Sequence, residues 1–146
     1  MVLGVASSAM ADPSIVGARY EPVAPKEFLK LSKTDGAVIL DVRDKTDPKI
    51  IVMDSAIALP ESDITKEKIE ALAPDKSKPV LLICNYSFME QKTAFESRMP
   101  LPMSANQQAA HKLMKLGYKK MYGLEYPAHA GDLNVLPLRD VKKERP

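Results

Sequence analysis

The sequence Pro79-Val80-Leu81-Leu82-Ile83-Cys84-Asn85-Tyr86-Ser87 places a lone cysteine at the end of a continuous apolar run. An apolar run of this length without alternation is typical of a strand that is covered on both faces. Polar residues follow Cys84 at once, so the strand ends there. Because open α/β sheets bind ligands outside the carboxyl ends of their strands, Cys84 is a candidate reactive residue. A buried and chemically inert thiol is the alternative, since most free cysteines are of that kind.

Length and composition indicate one soluble domain. A chain of 146 residues can bury a substantial core, and its 45% hydrophobic and 27% charged residues are ordinary for a globular protein. The 21 basic and 19 acidic residues leave a formal net charge of +2. This charge is too small to attract nucleic acid electrostatically, so we expect no nucleic-acid partner. One cysteine excludes an internal disulfide, and no Cys/His spacing suits a metal, so we expect no metal and no cofactor.

The first residues have the character of a processed segment. Residues 1–11 are small, apolar and uncharged, and Ala9-Met10-Ala11 has the A-x-A form of a signal-peptidase site. We predict a truncated signal segment at 1–11 and a periplasmic or exported location; a disordered leader and a cytoplasmic location are the alternative. No other apolar run approaches the ~20 residues of a membrane span, so we expect no membrane contact in the mature form.

Helices and strands alternate along the chain after an irregular lead-in at 12–24. Predicted helices lie at 26–31, 62–72 and 104–116, with a possible helical turn at 126–131, and predicted strands lie at 37–42, 56–60, 79–84 and 120–124. Ser104 and Gln107 form a capping box, and Gly117 is the expected glycine after that helix. Such alternation predicts an α/β protein with a mainly parallel sheet covered on both faces, followed by a flexible tail at 136–146.

This order of elements resembles the rhodanese-like domain, a small α/β fold whose sulfurtransferases carry sulfur as a cysteine persulfide. The resemblance covers residues 25–135 and rests on a co-linear set of segments: Val38–Arg43 with its Asp-x-Arg, Ser55–Pro60, Pro79–Cys84, Gln108–Tyr118 and Met121–Glu125. It implies a three-layer fold with a mainly parallel central sheet and helices on both faces.

The active-site loop departs from the family pattern. Ser87 stands where the family has Gly, and Met89 stands where it has Arg. The next helix begins only at Ser104, so the loop carries a long insertion. Residues 49–54 also lack the His-x-x-Gly that usually precedes the following strand.

The resemblance implies a sulfurtransferase that moves sulfane sulfur from a small anionic donor such as thiosulfate to a thiol acceptor through a Cys84 persulfide. Such chemistry needs a thiolate, because the thiolate is the nucleophile. In the family, backbone N–H groups of the loop cradle the anion. Asn85, Tyr86 and Ser87 are therefore candidate substrate-binding residues.

Cationic side chains near the loop complete the candidate set. Lys92 and Arg98 are the cations of the inserted segment, and a charge-assisted bond from either one could capture an anionic donor. Solvent exposure is the alternative for both. Asp41 and Arg43 are further substrate-binding candidates, with a structural ion pair at the sheet end as the alternative.

Two other functions are open to the same fold. A non-catalytic rhodanese-like module would use the 86–103 loop for recognition of a protein partner, since Phe88, Phe95 and Met99 suit an adaptable contact surface. A cysteine-dependent phosphatase or arsenate reductase is disfavoured, because the sixth residue after Cys84 is Glu90, whose charge repels an oxyanion.

Overall fold

The computed structural model describes residues 17–46, 49, 51–84, 87–88, 104–125 and 133–141. In chain order the elements are β1 (Arg19–Pro22), α1 (Pro25–Ser32), β2 (Val38–Asp41), β3 (Ile51–Met53), β4 (Ile57–Ala58), α2 (Lys66–Leu72), β5 (Val80–Ile83), α3 (Ala105–Lys115), β6 (Lys120–Leu124) and β7 (Leu138–Asp140), with short 3-10 turns at Glu61–Asp63 and Leu133–Val135. None of the described helices has the length and apolar character needed to cross a membrane.

Five strands form a central sheet in the order β1-β6-β5-β2-β4. Each neighbouring pair in this sheet is parallel. Strand β5 lies in the middle, which explains why its sequence is apolar without alternation: all four of its residues are buried. Strands β3 and β7 form a separate antiparallel pair. The predicted mainly parallel sheet is confirmed.

The two faces of the sheet carry separate hydrophobic clusters. Leu82 and Cys84 belong to the cluster that contains Ile69 of α2 and Leu113 of α3. Leu81 and Ile83 belong to the cluster that contains Phe28 of α1 (the α1-side cluster below). Successive side chains of a strand point to opposite faces, so β5 contributes to both layers. The predicted three-layer α/β fold with helices on both faces is confirmed.

Capping contacts set the starts of two helices, and α2 begins at Lys66 rather than at the predicted residue 62, because Glu61–Asp63 form a separate 3-10 turn. The Thr65 side chain accepts the Lys68 N–H at the start of α2. At the start of α3, Ser104 Oγ accepts the Gln107 N–H at 3.1 Å, and the Gln107 side chain accepts the Ser104 N–H at 3.1 Å. Gly117 follows α3 with φ of 99°, a left-handed conformation that glycine adopts at little cost. The capping box and the terminal glycine are both as predicted.

Two segments expected to be irregular contain strands. Residues 12–24 were predicted as an irregular lead-in, whereas Arg19–Pro22 form β1 and pair with β6. Residues 136–146 were predicted as a flexible tail, whereas Leu138–Asp140 form β7 and pair with β3. Both strands are short and pair with strands far away in the sequence, so no local sequence pattern predicts them. Their stability comes from tertiary pairing, with an Arg139–Asp54 ion pair at 2.7 Å beside β7.

Other expectations fall on residues outside the described ranges. These are the signal segment at 1–11 and the helical turn at 126–131.

Burial in the central strand predicts a matched pair of stability changes. Val80 is 1% exposed on β5, and Val135 is 41% exposed. We expect Val80→Ala to lower the free energy of unfolding by about 2 kcal/mol, because the removed methyl groups leave a cavity. Val135→Ala should change the same quantity by less than about 0.5 kcal/mol. Urea unfolding of the two variants measures both effects, and equal losses would contradict this picture of the core.

Candidate active site

The register of two central strands places Cys84 beside Glu125. Ile83 of β5 and Leu124 of β6 are partners in the parallel ladder, and Cys84 and Glu125 are the next residue on each strand. Neighbouring strands lie about 4.8 Å apart, and residues at matching positions face the same side. Cys84 is 0% exposed and Glu125 is 7% exposed. A thiol and a carboxylate are therefore buried next to each other on the side of the sheet that faces α2 and α3.

Cys84 also lies at a switch point of the sheet. In the order β1-β6-β5-β2-β4, the chain leaves β2 toward β4 on one side and leaves β5 toward β6 on the other. The two connections diverge between β2 and β5, and open α/β sheets bind their ligands outside the strand ends at such a point. Because Cys84 directly follows β5, it stands at this position.

Ser87 closes a tight turn around Cys84. The Ser87 N–H donates to the Cys84 carbonyl at 3.0 Å, and the Cys84 N–H donates to Ser87 Oγ at 2.9 Å. The Ser87 hydroxyl donates to the carbonyl of Leu124 and lies 4.0 Å from Cys84 Sγ. A hydroxyl has a single proton to donate, and here the short bond to Leu124 takes it. Ser87 thus ties the Cys84 turn to the end of β6.

Glu125 is held by hydroxyl groups from two other elements. The Tyr20 hydroxyl, from β1, donates to Glu125 Oε2. The hydroxyl of Ser104, the N-cap of α3, donates to Glu125 Oε1. Each carboxylate oxygen thus has a hydroxyl donor, which offsets part of the cost of burying the charge. The candidate site combines Tyr20 of β1 with residues at the ends of β5 and β6 and at the start of α3.

Gly123 and Asn106 fit around the Tyr20 side chain. A Cβ at position 123 would overlap the Tyr20 hydroxyl and would lie 2.9 Å from Asn106 Nδ2, so this position needs glycine. Asn106 is fully buried, and its Nδ2 donates to the carbonyls of Leu82 and Leu124 at 3.2 Å each. Its Oδ1 has no hydrogen-bond partner among the described residues.

The surroundings of Tyr20 keep its phenol protonated. Burial raises the pKa of Tyr20 above its ordinary value of 10.0, and the hydrogen bond to Glu125 and the Glu125 charge raise it further. The charge of Cys84 acts in the same direction. Tyr20 packs against the cluster that contains Cys84. The phenol, the carboxylate and the thiol therefore form one electrostatically coupled group.

Asp41 and Arg43 lie on the other face of the sheet. Asp41 pairs in register with Ile83, which belongs to the α1-side cluster. Arg43 Nη2 and Nε contact the two Asp41 carboxylate oxygens at 2.7 and 2.9 Å, and the guanidinium lies 5.3 Å from the centre of the Phe88 ring. Phe88 packs against the α1-side cluster. The structural ion pair is what the structure shows, and substrate contact by either residue stays a prediction.

The other predicted site residues lie outside the described ranges. They are Asn85, Tyr86, Lys92 and Arg98, and their roles stay predictions. Within the described ranges, no three His, Cys, Asp or Glu side chains form a group that could hold a metal ion.

Sequence reasoning missed four residues of the site: Tyr20, Ser104 as a donor to Glu125, Asn106 and Glu125. The capping box identified Ser104 as a helix start, and that signal fixes its position but not its contact with β6. Tyr20 belongs to no motif, and the Met121–Glu125 segment predicts a strand without assigning a role to the Glu125 side chain. Only the pairing of β1 and β5 with β6 brings them to the cysteine.

Comparison with solved structures identifies the fold. The solution structure of the rhodanese-like domain from the Alr3790 protein of Anabaena sp. matches with a TM-score of 0.51 and 16% identity, over 81% of this chain and 79% of that chain. The crystal structure of the BH2092 protein from Bacillus halodurans matches with a TM-score of 0.50 and 19% identity, over 85% of this chain and 88% of that chain. No protein-family model and no curated protein matches the chain. This protein has the rhodanese-like fold, as the resemblance predicted.

The raised pKa of Tyr20 predicts an alkaline effect on stability. At neutral pH we expect Tyr20→Phe to be less stable by about 1–3 kcal/mol, because Glu125 loses a buried hydrogen bond. Above about pH 10 the unfolded wild-type tyrosine ionises while folded Tyr20 stays protonated, so the wild type loses up to about 1.4 kcal/mol per pH unit through this residue. The Phe variant lacks this loss, so the difference between the two proteins should narrow as pH rises. Urea unfolding at a series of pH values measures it, and parallel pH profiles would contradict the assignment.

Proposed function

We propose that this protein is a sulfurtransferase that carries sulfane sulfur as a persulfide of Cys84. The observation that carries the proposal is the position of Cys84, directly after the central strand and beside the switch point of a parallel sheet. Ligands of open α/β sheets bind at this place, and here a potential nucleophile stands there. The rhodanese-like fold supports sulfurtransferase-like or related chemistry in general terms.

The reaction is a redox-neutral double displacement. The Cys84 thiolate attacks the outer sulfur of the donor, the sulfur–sulfur bond of the donor breaks, and its electron pair leaves with the rest of the donor. Sulfite is the leaving group when the donor is thiosulfate. The acceptor thiolate then attacks the terminal sulfur of the persulfide, and the electron pair of the broken bond returns to Cys84. Atoms and electrons balance without a cofactor.

Burial of Cys84 sets a condition on this chemistry. The side chain is 0% exposed, so a donor contacts the sulfur only after the groups that cover it move. A small donor needs the least movement, which favours a compact sulfane sulfur compound over a bulky one.

Formation of thiocyanate from cyanide tests the proposal. We expect turnover with thiosulfate or with methanethiosulfonate, and we expect Cys84→Ser to reduce it to the uncatalysed rate, because Ser cannot form a persulfide. Mass spectrometry after incubation with donor alone should show one added sulfur atom, located on Cys84. Val135→Ala is the control, since it changes an exposed side chain and should leave turnover unchanged.

One pair of results would contradict the sulfurtransferase proposal. Wild-type rates equal to those of Cys84→Ser with both donors, together with an unmodified thiol in the mass spectrum, would exclude a sulfurtransferase.

A further inference from the structure

We infer that Glu125 determines donor specificity, so that the site disfavours dianionic sulfur donors and accepts donors of lower negative charge. This inference rests on the proposed function, because it concerns the donor that reacts with Cys84. It refines the expectation of an anionic donor such as thiosulfate.

Geometry places the Glu125 charge next to the point of reaction. Cys84 and Glu125 occupy matching positions after Ile83 and Leu124, which are register partners. Both side chains face α2 and α3 and are buried. The donor sulfur has to contact Cys84 Sγ, and the backbone that carries Glu125 lies about 4.8 Å away on the neighbouring strand, so the donor reacts in the electrostatic field of the carboxylate.

Among the described residues, the side chains that donate hydrogen bonds to Glu125 carry no positive charge. Tyr20 and Ser104 contribute neutral hydroxyl donors to the two carboxylate oxygens. Burial and the neighbouring charge keep the Tyr20 phenol protonated by raising its pKa. Hydroxyl donors stabilise a carboxylate but do not neutralise it, as an arginine or lysine partner would.

Asn106 lies between the ends of the two strands that position Cys84 and Glu125. Its Nδ2 is committed to the carbonyls of Leu82 and Leu124, the residues two before Cys84 and one before Glu125. The buried Oδ1 is the remaining polar end of this side chain and has no partner among the described residues. Asn106 thus joins the ends of β5 and β6 and supports the register that places Glu125 beside Cys84.

Arg43, which lies just beyond the neighbouring strand β2, does not offset the charge of Glu125. Arg43 lies on the opposite face of the sheet, where Asp41 binds it through two contacts of 2.7 and 2.9 Å. Inside a protein, the electrostatic repulsion between a carboxylate and a nearby anionic donor is much stronger than in bulk water. Glu125 therefore raises the energy of a bound dianion more than that of a monoanion.

Two donors of matched chemistry isolate the effect. Thiosulfate is a dianion and methanethiosulfonate is a monoanion, and in each a thiolate attacks the outer sulfur while an oxidised sulfur group leaves. Sulfite leaves from the first donor and methanesulfinate leaves from the second. The influence of Glu125 on the ionisation of Cys84 is common to both donors, so it cancels in the ratio of their kcat/KM values.

The experiment compares this ratio, thiosulfate over methanethiosulfonate, in the wild type and in Glu125→Gln. We expect the ratio to rise by about tenfold or more in Glu125→Gln, since the repulsion of the extra charge is removed. Glu125→Asp keeps the charge and should keep the ratio within about threefold of the wild type. Glu67→Gln removes an exposed charge on α2 and should leave the ratio unchanged. A ratio that stays constant or falls in Glu125→Gln overturns the inference.

A second measurement covers the case in which Glu125→Gln does not fold. In the wild type, added salt screens the repulsion of an anion that approaches from solvent, so the ratio should rise with ionic strength; the rise should be small, because Glu125 is buried and salt screens buried charges less. A ratio that falls with salt indicates attraction of the dianion and overturns the inference. Failure of the proposed function is distinct from both results, because the wild type would then form no persulfide with either donor.

Discussion

The parallel register between β5 and β6 determines where the side chains of the candidate site lie. Pairing of Ile83 with Leu124 puts Cys84 and Glu125 side by side and turns both toward the helices α2 and α3. A shift of one residue would turn one of them to the opposite face, because side chains alternate along a strand. The tight turn at Ser87 depends on the same register, since its hydroxyl bonds the carbonyl of Leu124.

Burial of the Glu125 carboxylate imposes requirements on the elements around it. An isolated buried charge is costly, so the fold supplies a hydroxyl from β1 and another from the start of α3. The Tyr20 side chain reaches Glu125 across Gly123, where a larger residue would occupy the place of its hydroxyl. The glycine, the tyrosine, the helix cap and the carboxylate thus depend on one another. They bind the edge strand β1 to the centre of the molecule through side chains as well as through backbone pairing.

The central sheet also separates the Asp41–Arg43 ion pair from Cys84 and Glu125, although all of them lie at the carboxyl ends of central strands. Asp41 ends β2 and Arg43 lies just beyond it, as Cys84 lies just beyond β5, so the sequence suggests that they share a site. Alternation along the strands instead turns the Asp41–Arg43 pair toward the α1-side cluster and Phe88. The two faces of one sheet edge therefore have different characters, with a neutralised ion pair on one face and a thiol beside a carboxylate on the other.

Local sequence alone determined the fold class, the start of α3 and the position of Cys84. A short unbroken apolar run is typical of a strand covered on both faces. The Ser104–Gln107 capping box and Gly117 mark the two ends of α3 with residues that are close in the chain. Tertiary structure decided the rest. Strands β1 and β7 are too short to leave a periodic signal, so they exist because distant partners pair with them. The association of Cys84 with Glu125 and Tyr20 follows from strand order and register, which are properties of contacts between segments far apart in the chain, and no local propensity encodes them.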